Sequence, residues 1–193
     1  MTEHEQPAGD ARFEDAPISD QPLRLKAEAA DDLSVISALV QDSVARAEDV
    51  MFLPRKRRVV ILLNRFRWED SEAARLAGRA FERVRSALQI DDVRGMRARG
   101  IGRPDRDTVV SLLSLSFEPS EATAPESDGD VTEAASAGDT DDGRKVPAVP
   151  GALIVTCAGD AAFRIEVECL SATLADLTRP WVANAGLPGH EAD

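Results

Sequence analysis

The sequence predicts an α+β domain: an antiparallel sheet of about seven strands, preceded by an N-terminal strand-helix unit and followed by a short C-terminal helix. Three observations carry that reading. Apolar residues mostly alternate with polar ones, the period of a half-buried strand. Helical spacing is confined to a few stretches. Segments rich in acids and poor in large apolar residues lie outside the patterned parts.

Taken in order, Leu23, Leu25 and Ala27 alternate with Arg24 and Lys26 as a short strand. Asp31-Asp32 opens a helix, because carboxylates suit the free N–H groups of a helix N-terminus. Its apolar stripe is Val35, Ile36, Leu39 and Val40, with Leu33 near the start. Val44 to Leu53 and Val59 to Phe66 form a hairpin around Pro54-Arg55-Lys56-Arg57. Val59 to Leu63 is apolar at every position, as in a strand covered on both sides.

Ser71 to Ile90 is ambiguous. Ala73, Ala77, Phe81, Val84 and Leu88 have helical spacing, yet Val84, Ser86, Leu88 and Ile90 alternate as a strand would. Thr108 to Phe117 is a strand with Val109, Leu113, Leu115 and Phe117 on one face and Ser114 and Ser116 on the other. Leu153 and Val155 point inward in the next strand. Phe163, Ile165 and Val167 do so in the last, across an Ala158-Gly159-Asp160 turn. Leu170, Leu174 and Leu177 then suggest the short helix, ended by Pro180.

The net charge of −12 is unevenly spread. Residues 1–20 hold six acids and one base; residues 119–147 hold eight acids against Arg144 and Lys145. Both stretches lack the apolar surface to offset the entropy of ordering. The expected organisation is therefore a disordered acidic tail over 1–20, one domain over 21–181 interrupted by a disordered acidic insert at 119–147, and a disordered tail over 182–193. The insert would either solubilise the chain or screen a basic face of the same molecule.

Two cysteines, Cys157 and Cys169, make no disulfide framework and no CxxC pair. The first residues are acidic and lack the apolar stretch of a secretory signal. The longest aliphatic run is five residues, Val59 to Leu63, against the ~20 of a membrane-spanning helix. The expectation is a cytoplasmic chain with no membrane span.

Several segments carry a family resemblance: Asn64-Arg65-Phe66-Arg67-Trp68-Glu69, Arg99-Gly100-Ile101, Leu112-Leu113-Ser114-Leu115, and Glu166-Val167-Glu168-Cys169 with Asp176-Leu177 and Trp181. Together they resemble the proteobacterial domain of unknown function 2948 family, from roughly Leu23 to Trp181. The resemblance favours strand over helix for Arg83 to Ile90. It implies no catalytic or binding residues. The resulting order of strands, then a helix, is similar to a pleckstrin-homology-like barrel with an extra strand and helix in front.

The strongest local feature is basic. Arg55 to Arg106 contains fifteen bases and seven acids. Arg55, Lys56, Arg57 and Arg58 form one run, and Arg94, Arg97, Arg99, Arg103 and Arg106 a second cluster. The first run, Arg65, Arg67, and Arg94, Arg97 and Arg99 of the second cluster are the nine candidate binding residues, their guanidinium-rich chemistry suited to carboxylate or phosphate. The competing reading is a solvated hairpin tip and charge-guarded sheet edges. Nucleic acid is disfavoured: there is no Tyr, and Phe66 and Trp68 are the only aromatics near the basic runs to stack a base.

No nucleotide-binding glycine loop, P-loop or GxSxG motif occurs, so neither cofactor nor metal is expected. His4 and His190 fall in the end segments. Cys169, placed where strand becomes helix, and the Glu166/Glu168 pair are the first suspects if the chain is an enzyme of unrecognised type. The primary expectation is a non-catalytic binding or adaptor domain for a protein or anionic partner. Nucleic-acid binding through the basic block comes third.

Overall fold

The computed structural model describes residues 22–101, 108–120 and 149–183. The acidic tail, all but the first residues of the acidic insert, the end of the C-terminal tail, and Arg103, Arg106, His4 and His190 lie outside the described residues.

The chain opens with β1 (Arg24–Ala27) and α1 (Ala30–Val40). Asp31 and Asp32 sit in the first helical turn, where the helix dipole favours them. Leu33, Ile36 and Val40 are the buried stripe. Val35 is exposed instead. Two residues on from Leu33, it lies about 200° around the helix axis, facing solvent.

The strands that follow are β2 (Val44–Arg46), β3 (Val50–Leu53), β4 (Arg58–Phe66) and, after the short helix α2 (Ser71–Leu76), β5 (Glu82–Ile90) and β6 (Val93–Arg99). Then come β7 (Val109–Pro119), β8 (Gly151–Cys157), β9 (Ala162–Val167), β10 (Ala172–Asp176) and β11 (Trp181–Val182). The hydrogen-bonded path is β1-β10-β5-β4-β2-β7-β8-β9-β6, with β3 added to β4 and β11 to β5. Every pairing is antiparallel.

One crossing shapes the molecule. β5 and β6 are joined by Asp91 and Asp92 alone, yet β6 pairs with β9. β9 leads into β10, which returns to pair with β5. Two neighbouring strands thus turn a corner together and divide the sheet into two halves. The core between them gathers Val59, Ile61, Leu63, Leu88 and Ile90 from one half and Leu112, Leu153, Val155 and Ile165 from the other. α1 packs across β7 and β1 and closes one side.

The antiparallel α+β expectation holds in outline, with four corrections. The sheet has eleven strands rather than seven. Part of the excess arises because Val44 to Leu53 is broken by a 3-10 turn at Ala47–Asp49. The predicted C-terminal helix is strand β10: Ala172 and Leu174 are buried, and Leu174 lies between Leu25 of β1 and Leu88 of β5. Pairing on both edges outweighs the helical spacing of its leucines. With an open path, extra strands and no terminal helix among the described residues, the order departs from the expected pleckstrin-homology-like one.

The third correction is the parity of β7. Val109 and Leu113 are exposed, while Val110, Leu112 and Leu115 are buried. The register against β8 shifts between Leu112 and Ser114. One extra residue at this bulge moves the inward set from even to odd positions. The fourth is β4, whose Val59, Ile61 and Leu63 are buried while Val60 and Leu62 are only half-buried. One face carries the core and the other is partly open to solvent.

The ambiguous stretch Ser71 to Ile90 contains both elements. α2 accounts for the helical start and β5 for the alternating end.

Candidate functional site

The nine candidate residues divide between two ends of the sheet. Arg55 and Lys56 lie in the 3-10 turn between β3 and β4. Arg57 follows in a left-handed conformation, φ 51°, and sends the chain into β4. Its carbonyl accepts a hydrogen bond from the Val93 amide at 2.9 Å. That bond brings the β3–β4 turn against the start of β6, where Arg94 stands. The two basic clusters, separate in sequence, become one surface here.

Carboxylates neutralise part of it. Arg57 Nη2 lies 2.5 Å from Glu168 Oε2 and 3.9 Å from Asp92 Oδ1. Arg94 Nε reaches the other oxygen of Glu168 at 3.4 Å. Arg58 Nε donates to Asp91 Oδ1 at 2.6 Å. The hydrogen bond from Arg57 holds the Glu168 carboxyl below the usual carboxylate range. Further along β6, Arg97 Nη2 is 3.8 Å from Glu166. Arg55, Lys56 and Arg99 are exposed and have no ion-pair partner among the described residues.

Arg65 lies at the other end of β4 and Arg67 just past it. Arg65 is 0% exposed and faces inward. All five of its N–H groups are used: two to Asp176, two to Glu69 and one to the Phe66 carbonyl. Ser86 Oγ adds a 2.6 Å hydrogen bond to Asp176. Burial alone would lower the Arg65 pKa, but the hydrogen bonds it donates to Glu69 and Asp176 outweigh it and hold the group charged. Arg67 pairs with Glu82 and is largely buried. These two arginines lock β4, β5 and β10 together.

Beside them is a cluster absent from the sequence reading. The Arg83 guanidinium lies 3.9 Å over the Phe66 ring, and Phe66 meets Trp68 at 5.6 Å between centroids. Trp68 Nε1 donates to the Gln41 carbonyl at 3.0 Å and pins this corner to the end of α1. Burial lowers the Arg83 pKa. The signal that would have found it is cross-strand: Arg83 is the β5 partner of Phe66, a pairing invisible without register.

The catalytic suspects are placed differently from expectation. Cys169 lies between β9 and β10, with no helix following, and its Sγ donates to Asp92 Oδ2 at 3.3 Å. Burial, then that carboxylate, raise its pKa, the reverse of thiolate activation. Cys157 is buried, and burial pushes its thiol up to about 11. Glu166 and Glu168 are both held by arginines. Among the described residues no three His, Cys, Asp or Glu side chains gather as a metal site. None of the described helices is long and apolar enough to cross a membrane.

The family model described as protein of unknown function (DUF2948) matches residues 23–140 and 144–190. The chain belongs to this family. No curated protein and no solved structure matches it. The DUF2948 match takes in both ends of β4, the whole of β6 and the corner that joins them.

Proposed function

We propose that this DUF2948 domain is a non-catalytic binding module that recognises an anionic partner, in the first place an acidic protein surface. The observation that supports it is the junction at Arg57 and Val93. It sets Arg55 and Lys56, exposed and without ion pairs among the described residues, at the start of β6, the strand that carries Arg94, Arg97 and Arg99. An acidic chain that displays bases without internal counter-ions has a surface suited to carboxylates on another molecule. Arg57 and Arg94, bridged by Glu168, would hold the base of that surface in place. Two unpaired cysteines favour a reducing compartment, in keeping with a cytoplasmic module.

The test is retention on immobilised polyglutamate at low salt. The intact chain, despite its net charge of −12, is retained and elutes as salt screens the contact. The double variant Arg55→Glu/Lys56→Glu flows through with an unchanged melting temperature. Equal behaviour of the two proteins would show that the turn only solubilises. Stronger retention on single-stranded DNA than on polyglutamate would move the assignment to nucleic acid.

A further inference from the structure

We infer that β6 is a docking edge for an acidic, extended segment of another protein, which joins the sheet as an additional strand. The inference rests on the anion-binding reading above and specifies the form of the partner.

β6 ends the path of the sheet and pairs with β9 alone. On its other edge the Val93 amide is bonded to the Arg57 carbonyl, and no other backbone bond is made there among the described residues. The side of the molecule between β1 and β7 is covered by α1. β3 and β6 instead each carry a strand on one edge only. β6 offers seven residues of strand, about 23 Å at ~3.3 Å per residue, with a bulge between Val93 and Gly95 and regular pairing from Gly95 to Arg99. An unpaired row of N–H and C=O groups is a template for one more strand, and added strands draw affinity from such main-chain bonds.

The side chains define the occupant. Arg94, Arg97 and Arg99 stand exposed along the edge, with the Arg97 side chain 80% exposed. Arg55 and Lys56 lie where the edge begins. Met96 and Phe52, partly buried against the core, offer apolar contact. A strand alternating carboxylates with apolar residues complements both features. A second copy of β6 does not, because it would set arginine against arginine, and like charges on facing strands repel. Nucleic acid is a poorer match, since β6 carries no aromatic residue on which a base would stack.

The probes are two synthetic ten-residue peptides of alternating Glu and Val, one unmodified and one N-methylated at every second residue. Binding to the full chain is measured by calorimetry and by amide hydrogen exchange. The unmodified peptide should bind and slow exchange of β6 amides. N-methylation should weaken binding at least tenfold, because it removes peptide N–H donors without changing charge. Arg94→Glu/Arg97→Glu should also weaken it at least tenfold with the melting temperature retained.

Equal binding of the two peptides overturns strand addition and leaves the anion-binding reading intact. Absence of binding, or protection confined to other strands, also overturns strand addition, and polyglutamate retention then decides the broader reading by itself. Protection of β6 that grows with protein concentration alone assigns the edge to a second copy, against the inference. Protection present in the free chain and lost on deleting residues 121–148 assigns it to the chain's own acidic segment, again against it.

Discussion

The Val93 amide donates to the Arg57 carbonyl at 2.9 Å, and this one hydrogen bond carries the pairing of β4 with β5 a step past the corner onto β6. It makes two basic stretches neighbours, although the separation of 36 positions from residue 57 to residue 93 hides the relationship in sequence. It also sets Glu168 where both Arg57 and Arg94 can reach it.

The Glu168 carboxyl should titrate below the ~4.3 typical of glutamate, because Arg57 donates to its charged form. A lowered folded-state pKa contributes stability above the unfolded-state value, and that contribution is lost as pH falls through the folded value. In carbon-detected NMR titrations, Arg57→Ala should move the Glu168 midpoint upward, and Arg55→Ala should leave it in place. An unchanged midpoint in Arg57→Ala would refute the pairing.

Arg65→Ala should be the most damaging single arginine substitution. It removes the guanidinium and leaves Asp176 buried and Glu69 half-paired. Breaking a buried ion pair from one side costs about 3–5 kcal/mol. Arg65→Lys should not rescue it, since one ammonium cannot replace five donors held in a planar fork. Urea unfolding measures both; a loss below about 1 kcal/mol for the alanine variant would mean the network is worth no more than a surface pair.

The bulge in β7 predicts unequal neighbours. Leu112 is 0% exposed and Leu113 43%. Leu112→Ala should cost about 2–5 kcal/mol, and Leu113→Ala within about 0.5 kcal/mol. Equal losses would place the bulge elsewhere. Ser37→Ala tests the same feature from the helix, because Ser37 Oγ accepts the Leu115 amide at 2.8 Å just past the bulge. An unpaired buried amide there costs about 1–3 kcal/mol.

Both thiols should react slowly in the native chain at pH 8. Cys157, pushed up to about 11, should wait for unfolding. Cys169 is held as a thiol by burial and by Asp92. Asp92→Asn should therefore speed labelling of Cys169 by a thiol reagent and leave Cys157 unchanged. Faster labelling of Cys169 than of a free cysteine peptide in the unaltered chain would reopen its candidacy as a nucleophile.

Much of the fold could be read from local pattern. Alternation placed β1, β8 and β9 with their inward residues, since Leu153, Val155, Phe163, Ile165 and Val167 are all buried. Acids and an apolar stripe placed α1. The basic turn between β3 and β4 was legible from its proline and its run of charges. These features depend on near neighbours in the chain, so the sequence holds their causes. Tertiary structure decided the rest. Leu170, Leu174 and Leu177 have the spacing of a helix, but β10 is extended because β1 and β5 offer it backbone partners on both edges. The face of Leu113 turned on one bulge, which changes parity without changing composition. Arg65 and Arg57 read alike as candidate binding residues. One became a buried tie between strands and the other the rim of a surface, because register alone determines which carboxylates an arginine meets.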